Sequence, residues 1–285
     1  MRVTQSMLTN NMLRSLSDSY NRMEKYQNQV TSGKKITRPS DDPVVAIKGV
    51  SLRTNLKEIE QFKSNIDEAY TWMESTDDAL ANLTDVFQRM SELSVQANGT
   101  TSDKDLDAIA AEVKQLIEQV DTIASTKIGT KYLFNGQKTT TKPELDGTNN
   151  DNSDVKLELS PGIEIAVNVK PNQIFSNQLK QDLDNFYNAL TNNDVSSGDF
   201  TDNINAHLNN IISVRSEYGA KYNRVELLSD RLNSQEVSTL KLISNNEDVD
   251  MALAITKLTE QESIHRAALS VGARIIQPSL IDFLR

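Results

Sequence analysis

The sequence predicts a mainly α protein: an elongated antiparallel helical bundle or coiled coil built from both chain ends, with a small β-containing insertion. Three observations carry this. Apolar residues recur with a 3.5-residue period over long stretches, the signature of helices packed along a seam. Breakers are scarce, with 10 glycines and 6 prolines in 285 residues. Strict period-two alternation occurs in one place, on either side of Pro161-Gly162. Apolar residues make up only 37% of the chain, a share that suits long helices with a thin core better than a wide compact one.

The first helix shows its stripe as Leu13, Leu16, Tyr20, Met23 and Val30, with polar Gln27 filling one position. "SGKKI" then leaves that helix at Gly33, and "RPSDDP" starts the next. Pro39 keeps Arg38 out of the α region. Ser40 is expected as the N-cap, with Asp41 and Asp42 placing negative charge at the positive end of the helix dipole. Pro43 falls in the first turn, where its missing N–H costs little. Gly33, Pro39, Ser40, Asp41, Asp42 and Pro43 are therefore read as a joint between two helical layers.

The strongest pattern runs from 59 to 97. Ile59, Phe62, Ile66, Ala69, Met73, Thr76, Leu80, Leu83, Phe87, Met90, Ser94 and Ala97 follow alternating steps of three and four, and only Thr76 and Ser94 are polar. At about 1.5 Å per residue this stretch alone is roughly 58 Å long, a rod. Asn98-Gly99 stops it, since both residues tolerate a left-handed C-cap. Ser102, with Asp105 three residues on, is expected to cap a second helix carrying Leu106, Ile109, Val113, Leu116, Val120 and Ile123. The short joint folds it back antiparallel.

After Lys127 the character changes. "IGTKYLFNGQ" and the polar "TTTKPELDGTNNDNSD" break the helical pattern. Val155, Leu157 and Leu159 then answer Ile163, Ile165 and Val167 as a β-hairpin. Helical signal returns with Leu179, Leu183, Phe186 and Leu190. A long run follows through Ile204, Leu208, Ile211, Tyr218, Tyr222, Val225 and Leu232, the expected partner of the 59–97 helix; the apolar phase slips over 233–250. The C-terminal stripe is Leu258, Ile264, Ala268, Val271 and Ile275. Three regions result: a terminal layer (1–39 and 250–285), a helical rod core (40–129 and 176–249) and a β-rich insertion (130–175). The terminal layer has few partners within one chain, so it is expected to order only on assembly.

Function classes fall away by composition. The net charge is −10 and no Lys/Arg cluster is dense, which argues against nucleic acid. There is no cysteine, so no disulfide, thiolate zinc site or cysteine nucleophile. No apolar run is long enough to insert in a membrane, and the N-terminus lacks the apolar core of a cleaved signal. His207 and His265 stand far apart, without further ligands at metal spacing, so no metal or other cofactor is expected. Asp41-Asp42 and Asp77-Asp78 are read as helix-start charges, and Trp72 as packing at a bundle flank. Arg215 interrupts an apolar stripe and is expected to meet an acid across the bundle. The insertion, with no His or Cys, suits an exposed knob better than an active site.

"VTSGKKITRPSDDPVVA" (30–46) resembles the flagellin N-terminal signature, and its flanking Pro39 and Pro43 resemble the hook-associated branch of that family. "GTKYLFNGQ" (129–137) is similar to the end of the family's helical core, and "VGARIIQPSLIDFL" to the C-terminus of its hook–filament junction members. The resemblance covers all but about 138–175. It implies a non-catalytic adaptor between hook and filament, exported through the flagellar type III apparatus without a cleaved signal. Implied partners are the first hook-associated protein, flagellin filament subunits, identical copies in a ring, and a cytoplasmic export chaperone. The implied assembly surfaces are Leu13, Leu16, Tyr20, Met23 and Val30 with Leu258, Ile264, Ala268, Val271 and Ile275; Leu280, Ile281, Phe283 and Leu284 are the implied chaperone contact. A filament flagellin is the alternative. An enzyme housed in the insertion and a host-facing injectisome component match the residues less well.

Overall fold

The computed structural model describes residues 5–99, 102–194 and 200–276. Helices α1 (Gln5–Ser32), α2 (Pro43–Asn98) and α3 (Asp103–Ala124) come first. Short strands β1 (Lys127–Ile128), β2 (Lys131–Tyr132), β3 (Lys156–Ser160) and β4 (Ile163–Ala166) follow, then α4 (Asn177–Thr191), α5 (Phe200–Glu247) and α6 (Met251–Ile276). The chain divides into two compact units, Ile59–Gln235 and Met1–Glu58 with Glu236–Arg285.

The Ile59–Gln235 unit holds the hydrophobic core. Ten of the twelve heptad positions on α2, from Ile66 to Ala97, are buried, and Ile59 and Phe62 are half-buried. The two polar members are satisfied locally: Thr76 Oγ1 donates to Trp72 O at 2.8 Å, and Ser94 Oγ to Ser91 O at 2.8 Å. α5 runs antiparallel to α2. Ser94 and Thr201 hydroxyls lie 3.0 Å apart near one end, and Arg215 grips Asp77 through two bonds of 2.8 and 3.0 Å farther along. α3 returns along α2, with Arg89 Nε donating to Glu112 Oε1 at 2.7 Å. α4 is tied to α5 by His207 Nε2 and Asp182 Oδ2 at 2.8 Å, both partly buried.

The hairpin forms with Leu157 opposite Ile165, turning at Gly162, whose φ of 71° is the left-handed conformation the turn requires. A bulge between Glu158 and Ser160 shifts the register by one residue. The segment is not the exposed knob that its composition suggests. Leu133, Phe134, Leu159, Val167 and Phe175 are fully buried in the same core as the helices. Asn65 donates to Glu158 O at 2.8 Å, Arg231 to Ser160 Oγ at 3.2 Å, and the buried Tyr218 hydroxyl to Val167 O at 2.5 Å. The apolar residues of "KYLF" and "IFSN" pull the insertion down onto α2 and α5. A second hairpin, β1–β2, turns at Gly129 (φ 59°); "IGTK" carries its turn residue, but strands this short leave no periodicity to read.

Two sequence expectations about helix starts are corrected. Asp77-Asp78 lie in the middle of α2, where Asp77 serves Arg215 rather than a helix end. Ser102 occupies the N-cap of α3 with an extended backbone, but its side chain makes no capping bond.

Candidate assembly surfaces

The unit made from the two chain ends is built differently. α1 and α6 pair antiparallel: Met12 meets Gly272, the Tyr20 and His265 rings lie 6.2 Å apart, and Arg22 Nε donates to Gln261 Oε1 at 3.3 Å. The seam is made by small residues. Ser19 and Gly272 are buried in it, and a Cβ on Gly272 would come within 3.0 Å of Met12 Cε. Among the described residues of this unit, Ala254 is the one fully buried apolar side chain.

Four large side chains of the two stripes stay mostly outside. Leu13 is 52% exposed, Tyr20 55%, Ile264 42% and Val271 51%. Leu16, Met23, Val30, Leu258 and Ala268 are half-buried. The side chain of Ile275 and the whole of Leu280, Ile281, Phe283 and Leu284 lie outside the described residues. The unit also carries exposed apolar groups that the sequence reading passed over: Val44, Ile47 and Val50 on the first turns of α2, and Val237 and Leu240 late on α5. Their i, i+3 spacing was the available signal.

The joint is a polar latch. Gly33, at φ 69°, ends α1 in the left-handed conformation, its N–H donating to Gln29 O at 2.9 Å. The chain then pairs for a step with the α5–α6 link: Lys35 N donates to Glu247 O at 2.6 Å and Val249 N to Gly33 O at 3.0 Å. Lys34 Nζ reaches Asp248 Oδ1 at 2.6 Å, and this bond holds the Asp248 carboxyl below the usual carboxylate range. Asp41 closes the following turn, accepting from Arg38 N at 2.9 Å and Thr37 N at 3.1 Å, and these backbone bonds likewise lower its pKa. The cap of α2 is Asp42, whose Oδ1 accepts from Val44 N at 3.0 Å and Val45 N at 3.1 Å. Ser40, expected in that role, sits in the preceding turn, because Pro43 starts the helix and sets the cap one residue before it.

Under the connector lies Glu247, buried and bound to Arg53 at 2.6 Å, with Lys34 at 3.7 Å. Gly49 makes room for it: a Cβ there would lie 2.6 Å from Glu247 Oε1. Gly49, Arg53 and Glu247 gave no joint signal in the sequence, since the partners stand about two hundred positions apart. Among the described residues no cluster of His, Cys, Asp or Glu is arranged to hold a metal, and no helix is long and apolar enough to cross a membrane.

The unit thus buries small residues on its own seam and leaves several large apolar side chains outward. The comparisons give its kind. The chain matches the bacterial flagellin N-terminal helical region over residues 3–139 and the flagellin C-terminal helical region over 201–284, most of its length. It belongs to the flagellin family. It is 25% identical to flagellin of Bacillus subtilis, covering 97% of each chain. It is also 25% identical to flagellar hook-associated protein 3 of Escherichia coli, covering 94% of this chain and 95% of that one. The crystal structure of FlgL from Bacillus cereus superposes with a TM-score of 0.61 at 25% identity, over 68% of this chain and 99% of that one.

Proposed function

We propose that this chain is a structural adaptor at the junction between the hook and the filament of a bacterial flagellum, without catalytic activity. The observation that carries the reading is the outward placement of Leu13, Tyr20, Ile264 and Val271 on a helix pair closed by small residues. Covering a half-exposed side chain of this size returns about 1 kcal/mol, so docking on neighbours supplies what the unit lacks alone. The likeness to FlgL and to hook-associated protein 3 supports the junction over other positions in the flagellum. Identical copies form a ring, the first hook-associated protein lies on one side, and flagellin subunits on the other. An export chaperone holds the C-terminal segment before secretion through the type III apparatus, which needs no cleaved signal.

A filament flagellin is the second reading, favoured by the match to the B. subtilis protein over nearly the whole chain. One experiment separates the two. The gene is deleted in its host, the flagella are imaged by electron microscopy, and flagellin is assayed in the medium. Bare hooks with abundant unpolymerised flagellin outside the cell are expected. Bare hooks with none outside point to the filament subunit, and normal filaments refute both.

A further inference from the structure

Gly219 lies inside α5, where glycine weakens a helix relative to alanine. Gly49 has a packing reason for lacking a side chain; Gly219 has none, since a Cβ built on it meets no atom within 4 Å. It lines a groove of about 590 Å³ between α2 and α5, within the Ile59–Gln235 unit. Glu74, Asp77 and Asp78 face this groove from α2, and Tyr218 and Tyr222 from α5. Asp77 is neutralised by Arg215. Glu74 meets only the Tyr222 hydroxyl, at 3.4 Å, and exposed Asp78 has no hydrogen bond or ion pair among the described residues. The groove thus offers Glu74, whose carboxylate meets only a phenol, and Asp78, which feels the Arg215 charge but makes no direct bond, beside an aromatic wall and open space at Gly219.

We propose that this groove docks a basic side chain, arginine or lysine, from a neighbouring flagellar subunit. The inference rests on reading the chain as an assembly subunit, and it names a contact on the Ile59–Gln235 unit rather than on the paired chain ends. The aliphatic stem of such a residue lies in the notch left by Gly219, against the Tyr222 ring. Its charged head bonds Glu74 and Asp78, which are otherwise left facing each other's charge. An acidic or purely apolar occupant leaves both carboxylates unpaired. The helix retains a destabilising glycine because a side chain there fills the docking site.

The test sets fold stability against assembly. Gly219→Ala is expected to raise the melting midpoint of the purified protein by about 2–4 °C. Gly219→Leu and Asp78→Asn, placed in the native gene, are expected to leave a cooperative melt but shed most filaments under shear. Wild-type filament retention by Gly219→Leu overturns the proposal. Should that variant fail to fold, cross-linking decides. The chain has no cysteine, so Leu227→Cys, at a 70% exposed site one turn beyond Asn223, which also lines the groove, carries a single benzophenone maleimide. Photolysis of assembled flagella is expected to join it to a neighbour's peptide around an arginine or lysine. No intermolecular adduct, or one on a segment without a basic residue, overturns the groove assignment. The deletion strain distinguishes the two failures: bare hooks with abundant flagellin in the medium, together with no adduct, remove the groove and leave the junction reading standing.

Discussion

At the scale of single residues, the telling contact is Arg215 with Asp77. The sequence showed a cation breaking an apolar stripe and a carboxylate pair with an apparent capping role; only folding brings them together, 138 positions apart. Hydrogen bonding to Arg215 holds the Asp77 carboxyl below its usual range. Asp77 is 45% exposed, so solvent screens the pair and Asp77→Asn should cost about 0.5–1 kcal/mol at pH 7, the upper part of the range for surface pairs because the bond is bidentate. The sign follows from the lowered value: the stabilisation is complete above the unfolded pKa of about 4 and is lost as pH falls through the folded one. Denaturant melts of wild type and variant should therefore differ at pH 7 and converge as pH falls through the lowered pKa of Asp77. Tyr218 behaves otherwise. Burial raises its phenol pKa, so it stays a donor to Val167 O at all ordinary pH. Tyr218→Phe should cost about 1–2 kcal/mol with no pH dependence between pH 5 and 9, measured by the same melts. A loss that varies over that range would mean the hydroxyl is not simply a buried donor.

At the scale of elements, period was legible and ends were less so. The heptad on α2 predicted its buried face at ten of twelve positions, because a seam repeated over many turns leaves little room for another register. The β3–β4 hairpin was legible for the same reason, down to its Pro-Gly turn. Helix starts depend on one or two hydrogen bonds, and several neighbouring polar residues are chemically able to make them. In "SDDP" three candidates precede the proline, and geometry selects Asp42. Amide exchange tests this choice. Asp42→Ala should speed exchange at Val44 and Val45 by about fivefold, the loss of roughly 1 kcal/mol of capping, while Ser40→Ala leaves both unchanged. The reverse pattern would restore Ser40 as the cap. The latch of Lys34, Arg53, Gly49 and Glu247 was illegible in principle: its members carry no local pattern, and their proximity is a consequence of how α1, α2 and α5 come together.

At the scale of the whole molecule, the two units have unequal means of holding themselves together. The Ile59–Gln235 unit buries its heptad seam, its hairpin and several aromatic rings in one core. The unit of the chain ends keeps Leu13, Tyr20, Val44, Ile47, Val50, Ile264 and Val271 exposed and relies on a small-residue seam and a polar latch. Ordering a residue costs on the order of 1–2 kcal/mol of backbone entropy, which hydrogen bonding within isolated helices offsets only marginally at these lengths. Local opening should therefore be far more frequent in the terminal unit than in the core. Limited trypsin digestion of the purified monomer is expected to remove both ends first and leave a resistant fragment bounded near Lys57 and Lys241. That fragment should keep a cooperative thermal transition, since its core is intact. In assembled flagella the same sites should resist digestion, because neighbours then cover the apolar face. Equal resistance of the ends and the core in the monomer would mean that the terminal unit is stable without neighbours, and the exposed stripes would need another explanation than assembly.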